Sequence, residues 1–310
     1  MIKTFDGLLM AARGLPESRI AVAGADDETV IEAVQLAEEE GLGHALLFGD
    51  AVKIAGVIAK LDIPPTHAEI RSTTDSCRDA VAAVDAGEAD CVMKGNAPTN
   101  ALLKAVLARD VESEHVKSLI SHVAIIENPR QNRLLIATDG GMVVSPDAEA
   151  KARIIDNAIM VARALGIAKP KIGLPALMED KGQDIPSLND ARRLMAWYRE
   201  GRFGDVDMDG PFGVDVFLDA EAAAHKDIVS PCAGDVDILV APNADAGNIA
   251  VKLAMYYAGI DMIGLVVGGM TPVILVSRAH SARSKMISIA LAKLVGNYQA
   301  SMRLTRAAAV

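Results

Sequence analysis

The chain has 310 residues, enough for two α/β units or one large unit with a well-developed core. Its 41 acidic and 31 basic residues give a net charge of −10, which argues against a broad surface for nucleic acid or for an anionic membrane, although a local basic pocket can still hold an anion. No signal peptide opens the chain and no apolar run reaches the roughly 18 residues of a bilayer span, so we expect a soluble, cytoplasmic protein.

Hydrophobic residues make up 51% of the chain but aromatic residues only 3%, so the core must consist of aliphatic side chains. Such a composition suits helices packed on parallel strands, which are covered on both faces. The three cysteines, Cys77, Cys91 and Cys232, lack CxxC spacing. They are typical of buried thiols in a reducing compartment and indicate no zinc site.

Strands and helices alternate through the first half of the chain. The helix at 26–41 places Val30, Val34 and Ala37 on one face at helical spacing. Strands are predicted at 19–25, 44–50, 90–95, 120–127 and 133–139. Helices are predicted at 26–41, 50–60, 74–86 and 98–109.

The second half repeats this rhythm, which indicates mostly parallel sheets. The junction near 128–140, rich in Asn, Pro, Gly and charge, is the best internal boundary. Strands are predicted at 171–177, 205–210, 236–242 and 262–269. Helices are predicted at 145–167, 187–200, 219–226, 244–258 and 281–297.

Ligands bind beyond the carboxyl ends of parallel strands, so polar residues in strand-to-helix loops are informative. In VSRAHSARSK (276–285) an aliphatic strand ends in Ser277 and Arg278, and Ser281 stands where it can cap the last helix. A hydroxyl, a guanidinium and a helix start together favour an anion site. The alternative is an ordinary helix cap beside a surface arginine.

A second loop, MKGNAPT (93–99), places Lys94, Gly95 and Asn96 directly after a strand. Lys-Gly in such a loop can hold phosphate, although the GxxxxGK[ST] phosphate loop is absent. Lys104, on the following helix, is either a second cation for this loop or a solvated side chain.

Three further positions are weaker candidates. Ser121 lies inside the apolar strand predicted at 120–127, and a serine at a strand end is usually satisfied by the backbone. Asp139 precedes two glycines that permit either a ligand or a tight turn. In the 230–259 segment, Gly247, Asn248 and Lys252 open a helix against which a long cofactor could lie, although helix capping explains the small residues equally well.

GxGxxG after a strand, HExxH, paired-histidine metal spacing and GxSxG are all absent. These absences lower the expectation of a Rossmann dehydrogenase, a zinc enzyme or a serine hydrolase.

At these stretches the sequence resembles the phosphate acetyltransferase/phosphate butyryltransferase family, and looks closer to the butyryl branch. The resemblance extends from about residue 20 to 295. The parts that carry it include VMKGNAPTNALLKAVL, SHVAIIE, DGPFGVD and SRAHSARSKMISIALA. It implies two three-layer α/β domains with mostly parallel sheets and an interdomain cleft, of the isocitrate/isopropylmalate dehydrogenase kind. We assign 1–136 with 266–310 to the first domain and 137–265 to the second.

The resemblance also implies an activity: reversible transfer of a short acyl group, acetyl or butyryl, between coenzyme A and inorganic phosphate, by direct attack in a ternary complex. Coenzyme A is then a substrate, and neither a permanent cofactor nor a metal is required. A homodimer or larger homo-oligomer is implied, with no nucleic-acid or membrane partner. Ser277 and Arg278 match residues that line the reacting centre, and Ser121 matches a further active-site serine.

Two positions depart from the family pattern. The acidic residue that usually follows Ser-Arg is replaced by Arg283 or Ser284, and a usual aspartate is His280, a candidate general base. Lys104 stands where an arginine normally grips phosphate, which removes a bidentate fork. A coenzyme A-binding homologue with little turnover is therefore the alternative function. A dehydrogenase would need metal-binding aspartates and a nicotinamide loop, neither of which the sequence contains. Acyl chain length and physiological direction stay open.

Overall fold

The computed structural model of the chain describes residues 1–63, 67–112, 119–128, 131–277 and 280–308. Its helices are α1 (Phe5–Arg13), α2 (Glu28–Glu39), α3 (Ala51–Lys60), α4 (Ser76–Asp85), α5 (Thr99–Glu112), α6 (Ala148–Ala164), α7 (Pro186–Arg199), α8 (Val214–Leu218), α9 (Ala220–His225), α10 (Ala244–Ala258) and α11 (Ala282–Ala308). Its strands are β1 (Ser18–Ala23), β2 (Gly43–Gly49), β3 (Glu69–Ser72), β4 (Cys91–Lys94), β5 (Ser121–Asn128), β6 (Arg133–Thr138), β7 (Lys171–Pro175), β8 (Asp207–Phe212), β9 (Ile238–Val240), β10 (Met262–Val267) and β11 (Val273–Ile274).

The chain divides into two compact units, each made of separate chain segments. The terminal unit comprises 5–118 and 263–310, and the central unit comprises 1–4 and 119–262. The sequence placed the first junction after residue 136, whereas the compact units divide before β5. The reason is that β5 and β6 pair as an antiparallel hairpin, with Val123 opposite Thr138, and so belong to the same unit.

In the terminal unit the strands follow the order β3-β2-β1-β4-β11-β10. All pairs are parallel except β10 with β11. The strand interiors are aliphatic and fully covered, as Val22 and Leu47 show with no exposed surface. In the central unit the order is β5-β6-β9-β7-β8, and only the β5–β6 pair is antiparallel. The predicted mostly parallel α/β fold class is confirmed.

Most of the helices with a capped start have an aspartate or asparagine side chain at the N-cap position. Asp27 accepts a hydrogen bond from the Val30 amide, and Asp147 accepts one from the Ala150 amide. Asn243 does the same for the Ala246 amide at the start of α10. Each cap satisfies a backbone N–H that has no partner within the helix.

The three cysteines are buried, as the sequence predicted. Burial raises the pKa of Cys91 and of Cys232 to about 12, and also raises the pKa of Cys77. Among the described residues, no helix combines the length and apolar character needed to cross a membrane.

Candidate active site

The carboxyl ends of three parallel strands lie side by side in the terminal unit. Ala23 of β1 pairs with Lys94 of β4, and Met93 pairs with Ile274 of β11. Each of these strands leads into a helix, α2, α5 and α11 respectively. Helix starts present unpaired N–H groups and a partial positive charge, so this edge of the sheet is suited to an anion.

The Ser-Arg motif follows β11 in the sequence. Ser277 is exposed, and its carbonyl oxygen accepts the His280 backbone N–H at 3.1 Å. Arg278, the candidate catalytic arginine, lies outside the described residues. His280 is only 4% exposed, so it is not the solvated side chain that an ordinary helix start would place there. The serine of this turn is therefore exposed, whereas the histidine is buried.

Ser281 caps α11. Its hydroxyl oxygen accepts the Ser284 backbone N–H at 3.1 Å and lies 2.9 Å from the Ser284 hydroxyl. The prediction that Ser281 caps the last helix is confirmed, and its hydroxyl oxygen is hydrogen-bonded within the chain. Arg283, half-exposed, pairs with Asp6 of α1 at 2.9 Å. That pairing reduces the positive charge Arg283 can offer to a nearby thiolate.

A lysine that the sequence analysis did not single out is hydrogen-bonded to this turn. Lys285 is 2% exposed and donates to the His280 carbonyl oxygen at 3.0 Å and to the Thr29 hydroxyl near the start of α2. Burial lowers the pKa of Lys285, an effect that the negative charges of Asp27 and Glu32 oppose. The available signal was a cation on the inward face of an apolar helix. Lys285 therefore links the Ser277–His280 turn to a second helix start.

The MKGN loop lies at the same edge, but two of its residues are committed to packing. A Cβ on Gly95 would come within 2.1 Å of the Gly24 carbonyl oxygen, and the Asn96 backbone N–H donates to that same oxygen at 2.6 Å. Lys94 is buried, and its ammonium group donates to the Gly95 carbonyl oxygen at 3.0 Å. Lys104 is exposed on α5. Gly95 is thus required by the close approach of two loops, whatever the loop binds.

In the central unit the predicted residues also collect at one edge of the sheet. Thr138 of β6 pairs with Val240 of β9, so the loops that follow these parallel strands are neighbours. Ser121 begins β5 at this edge because β5 runs antiparallel to β6. Its side chain is fully buried, and its hydroxyl accepts a hydrogen bond from the Asn157 amide at 2.9 Å. The structure therefore gives Ser121 a protein partner.

The Asp139 carboxylate organises the loop that follows β6. It is 2% exposed and accepts three backbone N–H groups, from Gly141 at 2.7 Å, Met142 at 3.0 Å and Val143 at 3.1 Å. Because this carboxylate accepts hydrogen bonds from three backbone N–H groups, it fixes the conformation of the loop. Beside it, burial lowers the pKa of His122, which the charge of Asp139 partly offsets.

The same loop lies directly against the start of α10. A Cβ on Gly247 would meet the Asp139 carbonyl oxygen at 2.7 Å and the Gly140 Cα at 3.0 Å. The Asn248 amide donates to the Gly140 carbonyl oxygen at 3.0 Å. The small residues thus allow backbone to pack on backbone. Lys252, one turn along, is exposed.

Asp139→Ala is expected to destabilise the protein by about 3 kcal/mol, because three backbone donors lose a charged acceptor. Chemical denaturation monitored by circular dichroism measures this. The exposed Asp261→Ala is the matched control and should change the unfolding free energy by less than about 0.5 kcal/mol. Equal unfolding midpoints for the two variants would contradict the loop-organising role.

A cavity of about 820 Å³ lies between α10 and the sheet of the central unit. Its lining is mainly apolar and includes Leu135, Leu239 and Val251. The helix stands partly off the sheet, since among its residues only Gly247 and Val251 are buried. Ile249, Leu253, Tyr256 and Tyr257 of the same helix are exposed. The helix is therefore apolar on the outside as well as the inside.

Comparison with known proteins shows one consistent relationship. The family model described as "Phosphate acetyl/butaryl transferase" matches residues 66–293. The chain is 36% identical over 298 residues to the phosphate butyryltransferase of Clostridium acetobutylicum, covering 95% of this chain and 99% of that protein. It is 35% identical over 294 residues to the phosphate acetyltransferase of Thermotoga maritima, covering 92% and 97%. A branched-chain phosphotransacylase from Enterococcus faecalis has a similar structure, with a TM-score of 0.76 at 28% identity, covering 90% of this chain and 99% of that one.

Proposed function

The chain belongs to the phosphate acetyltransferase/phosphate butyryltransferase family, and from this we propose that it transfers a short acyl group reversibly between coenzyme A and inorganic phosphate. The observation that carries the proposal is the edge of the terminal unit where three helix starts accompany the turn after β11. Inorganic phosphate and an acyl phosphate are anions of the kind that helix starts and an arginine bind.

The chemistry needs little from the protein beyond positioning and charge. In the direction that acylates coenzyme A, the sulfur attacks the carbonyl carbon of the acyl phosphate. A C–S bond forms, the C–O bond to phosphate breaks, and phosphate leaves. Arg278 and the α11 start stabilise the negative charge on the phosphate, and Ser277 donates a hydrogen bond to it. The proton of the thiol must pass to a base, for which we propose His280.

A thiol-release assay tests this activity. Acetyl-CoA and butyryl-CoA are incubated with the protein with and without phosphate, and phosphate-dependent appearance of free coenzyme A is expected. Tight binding of coenzyme A without release would instead identify a homologue that binds but does not turn over. A series of acyl-CoA chain lengths then defines the preferred acyl group.

Excess EDTA is expected to leave the rate of acyl transfer unchanged, because helix starts and Arg278 supply the positive charge in the proposed mechanism. Initial rates before and after chelation measure this, with dialysis into chelator-free buffer as the control. Loss of activity that Mg²⁺ or Zn²⁺ restores would show that the reaction depends on a metal.

The functional particle is proposed to be a homodimer. The exposed apolar side chains of α10, Ile249, Leu253 and Tyr257 among them, support an interface, since such groups on one helix favour burial against a partner. Leu253→Glu should then shift the mass measured by light scattering from dimer to monomer, whereas Lys252→Glu should not. A monomeric wild-type protein at micromolar concentration would contradict the proposal.

A further inference from the structure

Two histidines and two glutamates lie close together in the terminal unit. None of them belongs to the turn between β11 and α11. His44 lies in β2, Glu38 in α2, Glu17 just before β1, and His67 two residues before β3. One ligand atom from each of Glu38, His44 and His67 lies within 4.8 Å of the other two. The rings of His44 and His67 are 5.0 Å apart between centroids. No local spacing of residues in the sequence indicates this cluster, because its members come from separate elements.

Two lone pairs in this cluster are buried without a hydrogen-bond partner among the described residues: His44 Nδ1 and Glu38 Oε2. The other nitrogen of His44, Nε2, lies 2.9 Å from a Glu17 carboxylate oxygen. In the tautomer with the ring proton on Nε2, this contact is a hydrogen bond, and Nδ1, which is 3.7 Å from Glu38 Oε1, has its lone pair available for an ion. A carboxylate that holds one ring nitrogen of a histidine while the other ring nitrogen binds the ion is the usual arrangement behind a metal ligand.

We propose that this cluster binds one Zn²⁺ ion through His44 Nδ1, His67 Nδ1 and Glu38. Imidazole and carboxylate donors suit zinc, and three protein ligands leave the fourth tetrahedral position to water. The side chain of His67 is 80% exposed, so the site is open to solvent on the side that His67 forms. Glu17 is not a ligand but orients His44.

The separations of Glu38 from the two histidines require only a small adjustment. Zinc bonds of about 2.1 Å at tetrahedral angles separate neighbouring ligand atoms by about 3.4 Å. The His44–Glu38 separation of 3.7 Å already approaches this value. His67 Nδ1 is 2.5 Å from Glu38 Oε1, a contact that must open by about 1 Å, and the neutral ring that binds the ion through Nδ1 carries its proton on Nε2. The His67 backbone N–H also donates to Glu38 Oε1 at 2.9 Å, which holds the segment in place during the exchange.

The ion would tie an edge of the sheet to the layer of helices. β3 is the outermost strand of the terminal unit, and its side chains are mostly exposed. His67 leads into β3, whereas Glu38 and His44 belong to the neighbouring helix and strand. Zinc is therefore expected to stabilise the fold and to leave acyl transfer unaltered.

The test measures metal binding directly, independently of turnover. Full-length protein is stripped with chelator, and Zn²⁺ binding is followed by competition with a chromogenic chelator and by elemental analysis after dialysis. One Zn²⁺ per chain is expected, with affinity falling as pH drops below the ordinary pKa of histidine, about 6.5. Added Zn²⁺ should raise the thermal midpoint of the stripped protein, and Mg²⁺ at the same concentration should not.

Variants identify the ligands. His67→Ala, exposed and easily accommodated, should weaken Zn²⁺ binding at least tenfold, as should His44→Ala. Glu17→Gln should weaken it about tenfold, the lower end for a group that orients a ligand. The exposed His225→Ala, in the central unit, is the matched control and should bind as wild type does. Absence of stoichiometric binding, or unchanged affinity in His67→Ala, would show that Glu38 is simply hydrogen-bonded to His67, with His44 beside it and no ion between them.

Discussion

His280→Gln is expected to slow acyl transfer about a hundredfold, the lower end for loss of a general base. The side chain is buried at the turn between β11 and α11, and SRAHSARSK contains no acidic residue that could act as the base instead. A neutral imidazole can accept the thiol proton, so the rate of coenzyme A acylation should fall as pH drops through the histidine's pKa. Glutamine cannot titrate, and the acidic limb should disappear with it.

The pH dependence of the steady-state rate with acetyl phosphate or butyryl phosphate distinguishes this role from packing. His225→Gln is the control, since that histidine is exposed in the central unit. A His280→Gln enzyme that keeps both the wild-type rate and the acidic limb would end the general-base proposal. Thiolate formation would then rest on electrostatics alone, with Arg278 as the proposed cation.

Arg278→Ala is expected to raise the KM for phosphate and to lower kcat/KM at least tenfold. A tenfold loss corresponds to about 1.4 kcal/mol, a small value for one charge-assisted contact. Arg278→Lys keeps the charge without the planar fork and should recover part of the loss. Unchanged kinetics in a folded Arg278→Ala protein would remove the anion-site interpretation, and Arg283→Ala provides a comparison because that arginine pairs with Asp6.

The sequence pattern predicted the positions of most helices and strands to within a few residues. The helix predicted at 244–258 coincides with α10, and the strand predicted at 44–50 differs from β2 by one residue at each end. The first helix, α1, was missed although Phe5, Leu8, Leu9 and Ala12 bury one face at helical spacing. The last helix extends to Ala308, beyond the predicted end at 297, because residues 301–305 are exposed and carry no core pattern.

The candidate site was only partly predictable, because sequence locates a polar residue but not its surroundings. The Ser277 turn was found from an aliphatic run that ends in polar residues. Burial of Ser121 against Asn157 could not be found in this way, since the two are joined by packing between β5 and α6. The three backbone bonds of Asp139 likewise depend on the shape of its loop. The proposed binding roles of these residues stay predictions.

The buried cysteines have a consequence for a protein whose proposed substrate is itself a thiol. Exchange with a disulfide requires an accessible thiolate, and burial keeps Cys77, Cys91 and Cys232 protonated at neutral pH. Oxidised coenzyme A is therefore not expected to form mixed disulfides with the folded chain, however much accumulates around it. Aromatic disulfide dyes added to a reaction should react with released coenzyme A and leave the native protein unlabelled, so that labelling of the chain itself reports unfolding.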